Sequence, residues 1–183
     1  HTSTENLITT RGMRWTQSGG PVAFGPTIAQ QFMAVEGCDG SGQTVFGSIQ
    51  LNQVNYGYTW KLSQQPSPVL LPQLPGGSDA RVYAMANNPE LSKVGRTRFG
   101  DLTNHATLWE NNTATNLLPG ADDSLATCIS EDGNMIYGHR TDASGATRPL
   151  GWTRYGPNFF LVGEYLGSLF GGRTQATVHA CTA

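Results

Sequence analysis

The sequence predicts an all-β protein: a β-propeller, or a propeller arc, of about four blades with four short antiparallel strands in each blade. The first observation is that the four tryptophans, all that the chain has, recur at intervals of 45, 49 and 43 residues. A period of about 40–50 residues is typical of propeller blades. The second is composition, because 23 glycines and 10 prolines accompany a charged fraction of only 13%. That mixture favours short strands and turns over long surface helices.

The clearest copy of the repeat runs from residue 81 to residue 123. Four short β-forming segments are predicted there, at 82–86, 92–97, 105–110 and 114–118. Turn-forming residues such as Asn, Pro and Gly separate them. Four strands joined by tight turns make one propeller blade.

The other copies keep this order, so we predict one repeat domain over residues 1–183. Its parts are a partial blade at 1–31, blades at 32–80, 81–123 and 124–175, and the start of a further blade at 176–183. Joined together, the two partial blades nearly make one whole blade. Two explanations therefore stay open: a stretch of a longer propeller, which we favour, or ends that complete a blade across a ring closure or between molecules.

Two residue types mark the same position in successive copies. A glycine ends the second strand in three of them (Gly47, Gly95 and Gly138), 13 or 14 residues before the tryptophan of that copy. Glycine at this position indicates a bulge or a bend where a side chain would clash. The tryptophans could form a platform for stacking carbohydrate. Because they are periodic, we interpret them instead as fillers of the gaps between neighbouring sheets.

Charge, hydropathy and cysteine spacing exclude several classes of partner. The net charge is −2 without a basic cluster, which disfavours nucleic acid, and no apolar stretch approaches the ~20 residues of a membrane span. Cys38, Cys128 and Cys181 lack the spacing of a zinc site. They could form a disulfide or a reactive thiol, but we favour small apolar residues on inner strands. We predict no cofactor and no metal.

Two segments carry a resemblance to a known repeat family: SEDGNMIYG at 130–138 and YLGSLFGG at 165–172, with a weaker echo in LPGG at 74–77. They resemble the bacterial extracellular HAF-type repeats, although those repeats often have Tyr or Phe where this chain has tryptophan. The resemblance extends over nearly the whole chain. It implies a secreted or surface-exposed β-propeller, sometimes fused to an autotransporter barrel, and it brings no catalytic residue to this sequence.

The sequence offers no catalytic residue of its own. It contains none of the hydrolase, metalloprotease or nucleotide-binding motifs. The paired carboxylates at 122–123 and 131–132 lie on predicted turns, where neighbours in sequence provide neither a calcium cage nor the separated acids of a glycosidase. Ligands of propellers usually bind at a mouth of the central channel. The candidate binding residues there, chosen because they break the repeat near inner strands, are Glu36, Arg81 and His179.

Three functions follow from this reasoning. The first is a secreted or surface-exposed, non-enzymatic propeller that binds a protein or a glycan at the cell surface. The second is a structural subunit of an extracellular assembly, such as a filament, surface layer or virion, that self-associates through its incomplete terminal blades. The third is a carbohydrate-active enzyme with carboxylates in a propeller cleft. Glycan binding without turnover favours the first, ordered self-association the second, and product release abolished by one carboxylate substitution the third.

Overall fold

The structure, a computed structural model, describes residues 10–16, 18–25, 32–64, 67–88, 91–120 and 123–163. All the regular secondary structure in these ranges is β-strand, and no helix among them is long and apolar enough to cross a membrane. The strands are β1 (Gly12–Thr16), β2 (Gly20–Phe24), β3 (Phe32–Cys38), β4 (Thr44–Leu51), β5 (Val54–Lys61), β6 (Val69–Leu70), β7 (Gly77–Met85), β8 (Lys93–Phe99), β9 (Asn104–Glu110), β10 (Thr113–Asn116), β11 (Asp123–Ile129), β12 (Met135–Thr141), β13 (Thr147–Tyr155) and β14 (Asn158–Gly163).

The strands form four antiparallel sheets, in each of which consecutive strands are neighbours. Sheet 1 consists of β1 and β2; sheet 2 of β3 to β6; sheet 3 of β7 to β10; and sheet 4 of β11 to β14. Successive sheets pack face to face along the chain, as blades do in a propeller. The prediction of an all-β propeller arc is confirmed.

Local turn chemistry explains why the chain reverses where it does. Asn52 and Gln53 have φ values of 50° and 66°, and Asn111 and Asn112 have φ values of 48° and 61°. Two consecutive residues with positive φ form the tight turn whose twist matches that of a β-hairpin, and asparagine tolerates this conformation better than most residues. These two turns join β4 to β5 and β9 to β10.

The glycine that was expected to end the second strand lies inside that strand instead, at Gly95 of β8 and Gly138 of β12, because pairing with the first strand continues beyond it. Close contact with the first strand requires glycine at this position. A Cβ on Gly95 would lie 1.9 Å from the carbonyl oxygen of Arg81, and one on Gly138 would lie 1.9 Å from that of Leu125. In each sheet a β-bulge follows immediately in the first strand, between Val82 and Ala84 in sheet 3 and between Ala126 and Cys128 in sheet 4. The expectation of a bulge at this register is therefore confirmed.

The apolar core lies between the sheets. One cluster joins sheets 3 and 4 and contains Val94, Leu108, Ala126 and Trp152. A second joins sheets 2 and 3 through Phe46, Leu71, Ala80, Val82 and Trp109. Because each sheet buries its apolar face against the next one, an apolar face remains exposed wherever a neighbouring sheet or strand is missing.

Candidate functional site

A cleft of about 460 Å³ opens between sheets 1 and 2. On one side lie Met13, Arg14 and Trp15 of β1, together with Phe24 of β2. The other side is formed by part of β3, by the turn and strand that follow it, and by the residue that follows β5. These residues are Val35, Glu36, Gly37, Cys38, Ser41, Gly42, Gln43, Val45 and Leu62. We refer to this space as the β1–β3 cleft.

The tryptophans differ sharply in burial. Trp109 and Trp152 are 0% exposed. Their indole N–H groups donate to carbonyl oxygens just after the last strand of the preceding sheet, to that of Pro72 at 2.7 Å and to that of Leu117 at 3.0 Å. Trp60 is half-buried, edge-on to Phe24 with ring centroids 5.6 Å apart. For these three residues, the prediction that tryptophan fills the gap between sheets is confirmed.

Trp15 contradicts that prediction. It occupies the same register but is 77% exposed, and Met13 on the same strand is 63% exposed. The physical reason is that the buried tryptophans face the preceding sheet, and sheet 1 is the first sheet in the described part of the chain. Exposed apolar residues grouped beside a cleft are typical of an interaction surface.

The structure describes two of the three predicted binding residues, Glu36 and Arg81, and it does not bring these two together at one site. Glu36 lies on β3, is exposed, and lines the β1–β3 cleft. Arg81 lies on β7, where its Nε is 4.0 Å from Oδ1 of Asp79, and it is not among the residues that line the cleft. His179 lies outside the described residues. The sequence pattern missed the apolar members of the cleft, because Trp15 and Val35 are indistinguishable by register from buried residues of other sheets.

Polar groups beside the cleft include both charges and uncharged hydrogen-bonding side chains. Arg14, Glu36, Ser41 and Gln43 all line it. Burial, and to a smaller extent the negative charge of Glu36, raises the pKa of the Tyr58 hydroxyl well above its usual range. Tyr58 therefore stays protonated and donates its hydroxyl to the carbonyl oxygen of Ala34 at 3.3 Å, which supports the β3 wall of the cleft.

The aspartates of the hairpin turns serve the turns themselves. The carboxylates of Asp101, Asp132 and Asp142 accept hydrogen bonds from side-chain hydroxyls and backbone amides two to four residues away. Among the described residues there is no group of three or more His, Cys, Asp or Glu side chains that could hold a metal ion. The turn after β3 is built in the same way, since Asp39 accepts hydrogen bonds from Ser41, Gln43 and Thr44.

These turn aspartates give the fold an acid-sensitive component. Hydrogen bonds, first of all from the hydroxyls of Thr103, Ser130 and Ser144, hold the pKa values of Asp101, Asp132 and Asp142 below the ordinary 3.8. Since the folded pKa is lowered, the stabilisation is complete above 3.8 and is lost as the pH falls through the folded value. We expect the free energy of unfolding to fall more between about pH 5.5 and about pH 2.5 in the wild type than in the D101N/D132N/D142N variant. Urea titrations at both pH values measure this, and an equal decrease in the two proteins would contradict it.

A polar network connects sheets 2, 3 and 4, and the sequence analysis did not find it. Asn55 donates to Asp79 Oδ2 at 2.5 Å, and Arg96 lies 3.3 Å from Asp79 Oδ1. Arg96 also donates to Asn104, whose own side chain donates to Asp123 at 2.8 Å. The recurring signal is an asparagine five residues before the tryptophan, bonded to an aspartate near the start of the next sheet's first strand, Asp79 in β7 and Asp123 in β11. We call each such bond an Asn–Asp latch.

No such latch joins the described parts of sheets 1 and 2. The corresponding positions are Thr10, five residues before Trp15, and Phe32, which has the register in β3 that Asp79 and Asp123 have in β7 and β11. Thr10 and Phe32 are joined instead by a backbone bridge, in which the Met33 amide donates to the Thr10 carbonyl at 3.2 Å. A backbone hydrogen bond thus takes the place of the Asn–Asp latch at the junction that contains the cleft.

The cysteines correct one expectation. Cys128 is disulfide-bonded, so its interpretation as a plain apolar residue of an inner strand is wrong. Cys128 lies on β11 beside a bulge and is 5% exposed, as an ordinary core residue would be. Its register in the repeat therefore does not distinguish a disulfide-bonded cysteine from an apolar residue. Cys38 is a free, exposed thiol that lines the β1–β3 cleft. Cys181 lies outside the described residues.

Comparison with known proteins bears on the fold alone. The structure is similar to TolB from Acinetobacter baumannii, with a TM-score of 0.50 and 11% identity over 68% of this chain and 30% of that one. It is also similar to a putative TolB from Agrobacterium tumefaciens, with a TM-score of 0.55 and 14% identity over 84% of this chain and 55% of that one. The chain thus spans less than two thirds of the length of either β-propeller protein. No family model and no curated protein matches the sequence.

Proposed function

We propose that this chain is a non-enzymatic β-propeller binding module, secreted or exposed at the cell surface, that holds a segment of another protein in the β1–β3 cleft. One observation carries the proposal. Trp15 is 77% exposed at the rim of a cleft of about 460 Å³, whereas Trp109 and Trp152 at the same register are 0% exposed. Large aromatic residues in this setting are the residues most often responsible for binding energy at protein interfaces.

The chemistry of the cleft supports binding without turnover. Among the described residues that line it, Glu36 is the one carboxylate, whereas hydrolysis of a glycoside ordinarily requires two carboxyl groups at a defined separation. The aspartates of the hairpin turns, Asp101, Asp132 and Asp142, are engaged by hydrogen bonds within their own turns. An apolar strip bordered by Arg14, Glu36 and Gln43 suits a ligand that is partly apolar and partly polar.

The disulfide at Cys128 supports a location outside the cytoplasm. Disulfides persist in oxidising compartments such as the periplasm and the extracellular space, and they are rare where thiols are kept reduced. The resemblance to extracellular HAF-type repeats agrees with this location. Both considerations favour a partner at the cell surface.

A glycan is the second candidate ligand, and Trp15 is the observation that favours it. An exposed indole offers a flat apolar face, and Arg14, Glu36, Ser41 and Gln43 provide hydrogen-bonding groups around it. Sugars are bound by this combination of an aromatic face and polar side chains. A protein segment is preferred because Met13 and Val35 extend the apolar surface beyond one ring.

The experiment compares the wild type with Trp15→Ala and with a matched control, Tyr155→Ala, which removes an aromatic side chain that is 80% exposed on β13. Each protein is immobilised and exposed to surface proteins of the native source and, separately, to a glycan array. We expect Trp15→Ala to weaken binding about 30-fold, as loss of an interface hot spot of about 2 kcal/mol does, and Tyr155→Ala to leave it unchanged.

Equal binding by all three proteins would contradict the proposed site. Absence of any protein or glycan ligand for the wild type would contradict the binding function. Release of a product from a glycan, abolished by Glu36→Gln, would instead establish an enzyme.

A further inference from the structure

The imidazole of His105, on β9, lies between two polar neighbours. Its Nδ1 is 3.2 Å from Nδ2 of Asn116 on β10, and its Nε2 is 3.4 Å from the hydroxyl oxygen of Thr103 in the β8–β9 turn. Thr103 donates that hydroxyl to the carboxylate of Asp101 at 2.6 Å. His105 is half-buried, and its ring centroid lies 4.5 Å from that of Phe99. These contacts fix the positions of both ring nitrogens.

The hydrogen-bonding role of each ring nitrogen follows from its neighbour. An amide nitrogen only donates, so Nδ1 of His105 accepts from Asn116 and carries no proton. The orientation of the Asn116 amide is itself fixed, because its oxygen accepts from the backbone amide of Leu118 at 3.0 Å. The Thr103 hydroxyl gives its proton to Asp101, so it accepts from Nε2–H of His105. The arrangement therefore suits a neutral ring with its proton on Nε2.

A second proton on the His105 ring binds at Nδ1 and conflicts with Asn116. Two N–H donors then face each other across 3.2 Å. The Asn116 oxygen can reach the charged ring only if it leaves the Leu118 amide. Hydrogen bonds to charged groups are about twice as strong as those between neutral groups. We therefore expect the oxygen to turn to the ring, so that the Leu118 amide loses its acceptor.

The segment from Asn116 to Leu118 lies where sheet 3 is joined to sheet 4. The amide of Leu117 donates to the carbonyl oxygen of Ala106 at 2.9 Å, and the carbonyl oxygen of Leu117 accepts from the indole N–H of Trp152 at 3.0 Å. Trp152 is 0% exposed in the apolar cluster that joins the two sheets. The end of β10 is therefore bonded both to its own sheet and to the next one.

We infer that His105 is a pH-sensitive switch at the junction between sheets 3 and 4: its neutral ring keeps Asn116 bonded to Leu118, and its charged ring breaks that bond. A histidine changes its charge between about pH 8 and about pH 5. Because only the neutral ring accepts from Asn116, the stabilisation is present at the upper end of this interval and is lost as the pH falls. The inference goes beyond the proposed binding function and does not depend on it.

Charged groups lie on three of the elements around the ring as well as on β9 itself. They are Asp101 in the β8–β9 turn, Arg96 and Arg98 on β8, Asp123 on β11 and Glu110 at the far end of β9, whereas β10 carries none. Hydrogen bonds from Thr103 hold the pKa of Asp101 below 3.8, so Asp101 stays ionised throughout the interval. The arginines stay charged throughout it as well.

Amide hydrogen exchange of the full chain at about pH 7.5 and about pH 5.5, followed by NMR, tests the inference. Rates are converted to protection factors, which removes the intrinsic effect of pH on exchange. In His105→Asn an amide oxygen replaces Nδ1 and does not titrate. In Asn116→Asp one carboxylate oxygen can keep the bond to Leu118 while the other accepts from the charged ring. The matched control is His139→Asn, which removes a histidine on β12.

In the wild type and in His139→Asn, the protection factor of the Leu118 amide is expected to fall about fivefold at the lower pH, as loss of one hydrogen bond does. The indole proton of Trp152 is expected to change its chemical shift over the same interval. In His105→Asn and in Asn116→Asp, the protection factor is expected to stay constant within about twofold. Circular dichroism establishes whether His105→Asn folds, and the isosteric Asn116→Asp decides if it does not.

Equal protection of Leu118 at the two pH values in the wild type would overturn the inference. A fall that persists in Asn116→Asp, or in folded His105→Asn, would overturn it too, because another group would then be responsible. A fall that His139→Asn abolishes would assign the effect to His139 and overturn the role of His105. None of these results bears on binding at the β1–β3 cleft, which Trp15→Ala tests separately.

Discussion

Replacing Trp109 with alanine is expected to lower the free energy of unfolding by about 3–5 kcal/mol, whereas Trp15→Ala changes it by less than about 1 kcal/mol. Trp109 is 0% exposed between sheets 2 and 3, and its indole N–H donates to the Pro72 carbonyl at 2.7 Å. Alanine would therefore leave a cavity and an unsatisfied carbonyl. Trp15 is 77% exposed and buries little surface that could be lost.

Urea unfolding of the two variants beside the wild type measures this difference. The pair is well matched, because the same residue type is removed from the same register of two sheets. Similar losses of stability would contradict the account, since they would mean that Trp15 is buried against a further sheet. A small loss for Trp109→Ala would show that sheets 2 and 3 do not share a core.

The second large effect is expected at the polar network between sheets. Asp79→Ala removes the carboxylate that lies 3.3 Å from Arg96, a residue only 8% exposed, and it also breaks the Asn–Asp latch from Asn55. Removing one member of a buried ion pair leaves the other charge without compensation, which costs about 3–5 kcal/mol. We expect the loss for Asp79→Ala to lie near the lower value, because Arg96 keeps its bonds to Tyr83 and Asn104.

The matched control for Asp79→Ala is Arg148→Ala, which removes one member of an exposed ion pair. The Arg148 side chain is 52% exposed and its Nε lies 3.5 Å from Asp142 Oδ2. Exposed pairs of this kind contribute at most about 1 kcal/mol, so a small change is expected. Thermal or urea unfolding compares the two, and equal effects would show that the inter-sheet network contributes no more than a surface contact.

Periodicity made the architecture predictable. The recurring tryptophan, and the glycine 13 or 14 residues before it, make the repeat visible in the sequence, because each of these residues has one physical reason to recur. A tryptophan fills the gap between sheets, and the glycine allows the first strand's carbonyl to approach within 1.9 Å of where a Cβ would be. Strand boundaries were less predictable: β7 begins at Gly77, although the apolar pattern indicated a strand starting at residue 82. The first residues of β7 are held by backbone pairing with β8. Such pairing leaves no trace in the pattern of apolar side chains.

The candidate site could not be predicted from the same signals. Register assigns Trp15 and Val35 to the core, and only the absence of a covering strand among the described residues exposes them. Glu36 was selected because it departs from the repeat, and it does line the cleft. Arg81 departs from the repeat for another reason, since it lies beside Asp79 in the network between sheets. A departure from periodicity thus marks both binding surfaces and structural ion pairs.

Hydrogen exchange of the full chain, alone and saturated with its captured protein partner, tests the central claim most directly. Binding is expected to slow exchange of the backbone amides of β1, Gly12–Thr16, and of β3, Phe32–Cys38, because these two strands line opposite sides of the β1–β3 cleft. The exposed apolar residues of β14, Phe160 to Val162, provide an internal reference that binding should not protect. Protection confined to β14, or none at β1 and β3, would contradict the assignment of this cleft as the binding site.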